Sequence, residues 1–305
     1  MRSSSTGPTP TSRRPRGVVS GFAATAVAFG CALATPGCSG ARATASPPTA
    51  APLAAFSHAD FDAFLARHVD DRGRIDYARA LEDRADLDRY LASLRSTSPD
   101  SAPQRFPTEH ERLGYWINAY NASVIHAVLV HYPIASVRDV EPPALLFFLP
   151  RLSGFFLFQR TTLGGQRYDL YGLENRIIRR RFDEPRLHFA LNCASQSCPV
   201  LPARAFDPAR LESALEAETV RFIRDPANVD IDPEARQIRL SAIFDWYDED
   251  FTDSGDLVEY IEPYLDTQQR AALAACGECE VSFNEYDWAL NDRKESAGEQ
   301  GTRRY

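Results

Sequence analysis

Lysine is almost missing from this chain. Of its 34 basic residues 33 are arginine, and Lys294 is the exception. Such a bias reports genome composition more than mechanism. Basic charge as a whole is also short: 42 acidic residues leave a net charge of −8. No surplus of cations is available to neutralise phosphates, which excludes nucleic acid as the expected partner. Convincing membrane spans are lacking as well. "GVVSGFAATAVAFGCALA" is too rich in glycine and alanine for a confident anchor, and "ALLFFLPRLSGFFLF" is interrupted by Pro150 and Arg151. The second run reads as core or as a partly exposed flap. Internal repeats are not visible. The 305 residues, 44% of them hydrophobic, suffice for one large core or two small ones.

The first 38 residues read as an export signal. A polar start is followed by Arg13, Arg14 and Arg16, then by the short apolar run, then by small residues. Gly30-Cys31 and Gly37-Cys38 each resemble a bacterial lipoprotein cleavage site, where the thiol is lipidated; Cys38 is the expected lipidation site. Expected localisation is therefore the periplasm, or the outer membrane as a lipoprotein, with membrane contact only through the lipid. The signal holds four arginines and no acid, so the remainder carries 30 basic and 42 acidic residues. Residues 39–56, rich in Ala, Pro, Thr and Ser, form a flexible tether. Residues 57–292 are the folded domain, and 293–305 a disordered tail.

Within the domain, "ADFDAFLARHV" has helical spacing after an N-cap at Ser57. "RIDYARA" reads as a short strand before a second amphipathic helix. "ERLGYWINAYNASVIHAVLVHY" is apolar nearly all round and should be a central buried helix. Asn118 and Asn121 share one of its faces, and a buried amide without partners costs roughly 1–3 kcal/mol. They either tie down backbone or position a catalytic group. "FLFQRTTLGGQRYDL" is a hairpin turning at Gly164-Gly165, after which Asp169 caps a helix carrying Glu174. "RLHFALN" follows as a strand with Leu187, Phe189 and Leu191 on one face and His188 and Asn192 on the other. Asp207-Pro208 opens a helix, Ser241 caps another, and "EVSFNEYDWALN" closes the domain as a strand. Irregular alternation of helices and short strands predicts a single α+β domain, with a central buried helix and a small, mostly antiparallel sheet.

Residues 188–198, "HFALNCASQSC", gather an imidazole, an amide and two thiols. Together with Glu174 and Asn118 they are the parts of a papain-like or transglutaminase-like hydrolase in permuted order. Cys198 would be the nucleophile, its thiolate favoured by a helical start. His188 would be the base, and Glu174 or Asn118 would orient it. Asn121, Asn192, Cys193 and Ser197 would line the binding site. Rival readings stay open: a Cys193–Cys198 disulfide that silences both thiols, a core histidine, or zinc held by His188, Cys193, Cys198 and Glu174. Cys276 and Cys279 follow a helix instead of opening one, which favours a structural disulfide over a redox pair.

"YWINAYNA", "LENRIIRRRF", "HFALNCASQSCP", "LSAIFDWYDEDF" and "YDWALN", in that order, resemble the domain of unknown function family 547 over residues 60–291. The resemblance implies a domain without a settled activity. It also implies that Asn175 stands where many members carry histidine. Function therefore has to come from chemistry. The expectation is a cysteine-dependent hydrolase or acyltransferase, needing no cofactor or metal, that acts on an amide or ester of the envelope or of an exported protein. The alternative is a non-catalytic binding or scaffold domain pinned by Cys193–Cys198.

Overall fold

A computed structural model describes residues 54–146, 148–252 and 255–293. The expected signal, with Cys31 and Cys38, and most of the tether and tail lie outside these residues. Helices α1 (Ala59–His68), α2 (Tyr77–Glu82) and α3 (Ala85–Ser96) pack around α4 (Glu109–His131). A capping box starts α4: Thr108 Oγ1 accepts from the Glu111 N–H, and Glu111 Oε2 accepts from the Thr108 N–H. Every residue from Leu113 to Ile125 is then buried, as its all-round apolarity requires. Gly114 lets the Phe206–Pro208 segment lie against the helix; a β-carbon there would meet Phe206 O at 3.4 Å.

After α5 (Ser153–Phe156) come β1 (Arg160–Leu163) and β2 (Gln166–Asp169), antiparallel through the expected Gly164-Gly165 turn. Both glycines have positive φ, 56° and 84°, which suits residues without a β-carbon. Asp169 caps the next helix by accepting from the Gly172 N–H at 2.7 Å. That helix comprises α6 (Leu170–Gly172), a π-helical stretch Leu173–Ile178, and α7 (Arg179–Arg181). Beyond it, α8 (Leu211–Arg224) follows the Asp207-Pro208 opening. A second sheet combines β3 (Val229–Asp232) and β4 (Gln237–Leu240), antiparallel, with β5 (Glu280–Phe283), parallel to β4. The chain is thus a mixed α+β domain with two small sheets, one pairing of which is parallel. Helices α9 (Ala242–Trp246), α10 (Asp248–Phe251), α11 (Leu257–Ile261) and α12 (Thr267–Cys276) complete it. Among the described residues no helix is long and apolar enough to cross a membrane.

Three sequence readings are corrected. Ile75 forms only single bridges, to Val69 and Asp292, because Asp76 caps α2 immediately after it. In "EVSFNEYDWALN" the first four residues are β5, and the remainder forms only single bridges, at Ala289 and Leu290. "RLHFALN" is no strand: Pro185–Phe189 is a 3-10 helix, begun by Pro185 and capped by the Glu184 carboxylate. Three residues per turn aim successive side chains in three directions. Leu187 joins the core built on α4, while Phe189 joins a second aromatic core with Phe222, Phe244 and Phe251. His188, between them, faces a cleft.

Candidate active site

That cleft has a volume of about 780 Å³ and is lined by residues from the α4 core, the π-helical stretch, the cysteine loop, α9 and the C-terminal segment. Its polar groups fall into three sets. In the first, Glu174 is held between two phenols: its Oε2 accepts from Tyr120 at 2.8 Å and its Oε1 from Tyr247 at 2.5 Å. Burial, reinforced by the neighbouring Glu174 charge, pushes both phenols well above their usual range, so they act as donors.

The second set orients His188. Its Nε2 lies 2.6 Å from Asp250 Oδ2, and its ring stacks on Tyr247 at 3.9 Å. Arg179 grips the same carboxylate through two bonds of 2.6 and 2.8 Å, and its guanidinium sits 4.7 Å over the Tyr247 ring. Asn175 Oδ1 accepts the remaining Arg179 bond at 2.7 Å. Burial works against ionising Asp250, but the bonds from His188 and Arg179 outweigh it and hold the carboxyl well below the usual range. An ionised Asp250 can only accept, so the donor is Nε2–H and Nδ1 is the basic nitrogen.

Cysteines form the third set. Cys193 and Cys198 are bonded to each other on the cleft wall. The Cys193 N–H donates to Cys198 Sγ at 2.7 Å. The hydroxyl of Tyr286 lies 3.0 Å from Cys193 Sγ and 3.4 Å from Cys198 Sγ. Between the sulfurs, Ala194 is held at φ 65°, a left-handed conformation that costs a non-glycine residue roughly 1–2 kcal/mol. Asn192 Oδ1, accepting from the Ala194 N–H at 2.9 Å, helps to impose it.

Several residues singled out in the sequence work elsewhere. Asn118 does not meet His188; its amide donates to Phe206 O and accepts from the Phe206 N–H, at 2.8 and 2.9 Å. Asn121 does the same for Ala190 O and the Asn192 N–H, and Asn192 donates to Pro199 O. These buried amides replace the sheet partners that an irregular loop lacks. Ser197 Oγ accepts from the Asp287 N–H at 2.9 Å. Glu174 reaches the cleft but is spent on tyrosines, so Asp250 orients His188 in its place. The zinc frame also fails to form, since its sulfurs bond each other; among the described residues no three His, Cys, Asp or Glu side chains converge as metal ligands. Cys276 and Cys279 are bonded as a pair at the end of α12.

Tyr120, Arg179, Tyr247, Asp250 and Tyr286 had no individual sequence reading. All five stand in the quoted blocks, Tyr120 in "YWINAYNA", Arg179 in "LENRIIRRRF", Tyr247 and Asp250 in "LSAIFDWYDEDF" and Tyr286 in "YDWALN", which is the signal the sequence offers for them. Residues 103–223 match the family described as "Protein of unknown function, DUF547". This span holds Tyr120, Glu174, His188 and both cleft cysteines, while Tyr247, Asp250 and Tyr286 lie beyond it. No curated protein and no solved structure matches the chain.

Proposed function

We propose that this member of the DUF547 family is an exported envelope protein whose cleft performs cysteine-dependent hydrolysis or acyl transfer on an amide or ester. One observation carries the reading: the cysteine pair and the Asp250-oriented His188 open into the same cleft. Sulfur must be reduced before it can attack. Once it is, Cys198 is the better thiolate, because it receives the Cys193 N–H. Attack by Cys198 on the carbonyl carbon forms a thioester as the amine or alcohol leaves with a proton from the His188 imidazolium. Water or an acceptor amine then cleaves the thioester, giving its proton to His188. His188 has no hydrogen bond to either sulfur among the described residues, so a water or the substrate itself carries the proton between them. Papain-like chemistry of this kind needs an Asp or Asn behind the imidazole, and Asp250 takes that place.

The export half of the proposal rests on the N-terminal order of basic, apolar and small residues, and on two bonded cysteine pairs, which persist in oxidising compartments. A lipid on Cys38 would tether the domain to a membrane. A second reading is favoured by the Cys193–Cys198 bond itself: a binding cleft with a pinned wall and no chemistry.

The experiment reduces the full chain and exposes it to an electrophilic acyl probe, with the labelled residue read by mass spectrometry. Cys198 should be labelled fastest, Cys198→Ser should abolish that labelling, and His188→Ala should slow it near neutral pH. Equal, slow labelling of all reduced cysteines would establish the pinned binding cleft instead.

A further inference from the structure

We propose that Tyr286 is a catalytic residue of this cleft, donating its phenolic hydrogen to the Cys198 sulfur once the Cys193–Cys198 bond is reduced. The inference rests on the thiol reading above and assigns that site a second hydrogen-bond donor from outside the family-matched span.

Three observations converge. Tyr286 reaches both sulfurs, Cys193 Sγ at 3.0 Å and Cys198 Sγ at 3.4 Å. Because Ser195 Oγ donates to the phenol oxygen at 2.9 Å, the phenol's own hydrogen is left for a sulfur, and Cys198 Sγ takes it when the charge forms there. Its ring packs with Trp246 and Trp288 in a three-ring cluster, with centroids 4.7 and 4.5 Å away. Its segment is laced to the cysteine loop, because the Gln196 N–H donates to Ala289 O at 2.8 Å and the Ser197 N–H to Asp287 O at 3.2 Å. A phenol fixed this firmly is preorganised for charge on sulfur. Burial also pushes it well above the usual tyrosine range, although the Ser195 bond works the other way, so the donor keeps its proton at working pH.

Reduction uses the same geometry. A dithiol's thiolate attacks Cys193 Sγ, the S–S bond breaks, and Cys198 departs with the electron pair. The Cys193 N–H and the Tyr286 hydroxyl receive that charge. The dithiol's second thiol then attacks the mixed disulfide, forming an oxidised dithiol and releasing Cys193 as a thiol.

Other groups around the sulfurs also titrate or carry charge: Cys193 itself, Glu174 with Tyr120 and Tyr247, His188 with Asp250 and Arg179, Arg176 on the cleft wall, and Asp287 beside Ser197. Tyr286→Phe leaves all of them in place and removes one hydroxyl. The reduced full chain is alkylated with iodoacetamide from pH 5 to 10, and the rate at Cys198 is read peptide by peptide, with Cys276 as an internal reference. Tyr286→Phe should slow Cys198 labelling near pH 7 by about tenfold and move its pH profile upward by about one unit, with Cys276 unchanged. Replacement of Tyr286 by 3-fluorotyrosine, a stronger donor of nearly the same shape, should move the profile downward. This second variant keeps the test decisive if the phenylalanine variant unfolds. A fast Cys198 whose profile neither change moves would overturn the role of Tyr286 alone. A wild-type Cys198 no faster than Cys276 would overturn both this role and the thiol reading.

Discussion

Asp250 Oδ2 lies 2.6 Å from His188 Nε2, across 62 residues of sequence, and Arg179 donates to both oxygens of the same carboxylate. The aspartate therefore serves two structural masters: it joins the helix of Glu174 to α10, and it fixes the His188 ring over Tyr247. Because its carboxyl is held below the usual range, the linked stability is fully present above the unfolded-state value of about 3.9 and is lost as pH falls through and below it. Asp250→Asn should lower stability at pH 7 by about 2 kcal/mol, the scale of hydrogen bonds to a charged group. It should also flatten the acid limb of a plot of urea midpoint against pH. An acid limb identical to wild type would show that the pair contributes nothing to folding.

Asn118 offers a contrast, since it was read from sequence as a group that orients the base and is found bridging the Phe206 backbone. Asn118→Ala would leave a buried N–H and a buried C=O without partners. The expected cost is about 3 kcal/mol, measured by urea unfolding. Cys198 labelling in the reduced, folded variant should match wild type. A stable variant with slowed labelling would return Asn118 to the chemistry.

How far the sequence discloses this site depends on how local each relationship is. Helix α4, the Gly164-Gly165 hairpin and the caps at Asp169, Asp207 and Ser241 each follow from a few adjacent residues, and each forms as read. The 3-10 turn at Pro185–Phe189 was misread because burial on every side erases the alternation that separates strand from helix. Its true period appears only when two cores are placed on either side of it. Asp250 and Tyr286 were missed for a related reason. Each is anchored by contacts more than sixty residues away, and an acid in "YDEDF" or a tyrosine in "NEYDW" looks like ordinary surface until the fold brings it to His188 or to the sulfurs.

The pair at Cys276 and Cys279 lies outside the cleft lining and closes a four-residue loop after α12. Chain-entropy reasoning for so short a loop puts its contribution at about 2 kcal/mol. Cys276→Ser should lower the unfolding free energy from urea titration by that amount under non-reducing conditions and leave Cys198 chemistry untouched. Rapid alkylation of both native thiols without reductant would show that the pair is open.

The cleft cysteines should behave alike in stability and differently in reactivity. Either Cys193→Ser or Cys198→Ser removes the same six-residue closure, so each should cost about 2 kcal/mol in oxidised protein, and wild type should fall to their level on reduction. Reactivity separates them because the donors are unequal. In Cys193→Ser the remaining Cys198 keeps the N–H of residue 193, a backbone group that the substitution does not remove. Its thiolate should form readily, and it should label at neutral pH without any reductant. In Cys198→Ser the remaining Cys193 has hydroxyl neighbours, Ser195 and Tyr286, and no backbone donor to its sulfur among the described residues. It should label several-fold more slowly at the same pH. Mass-resolved alkylation of the two variants, each checked for folding by its urea midpoint, measures the ratio directly. A ratio near one would mean that the peptide N–H at 2.7 Å does not select the thiolate, and Cys198 would lose its claim to be the nucleophile.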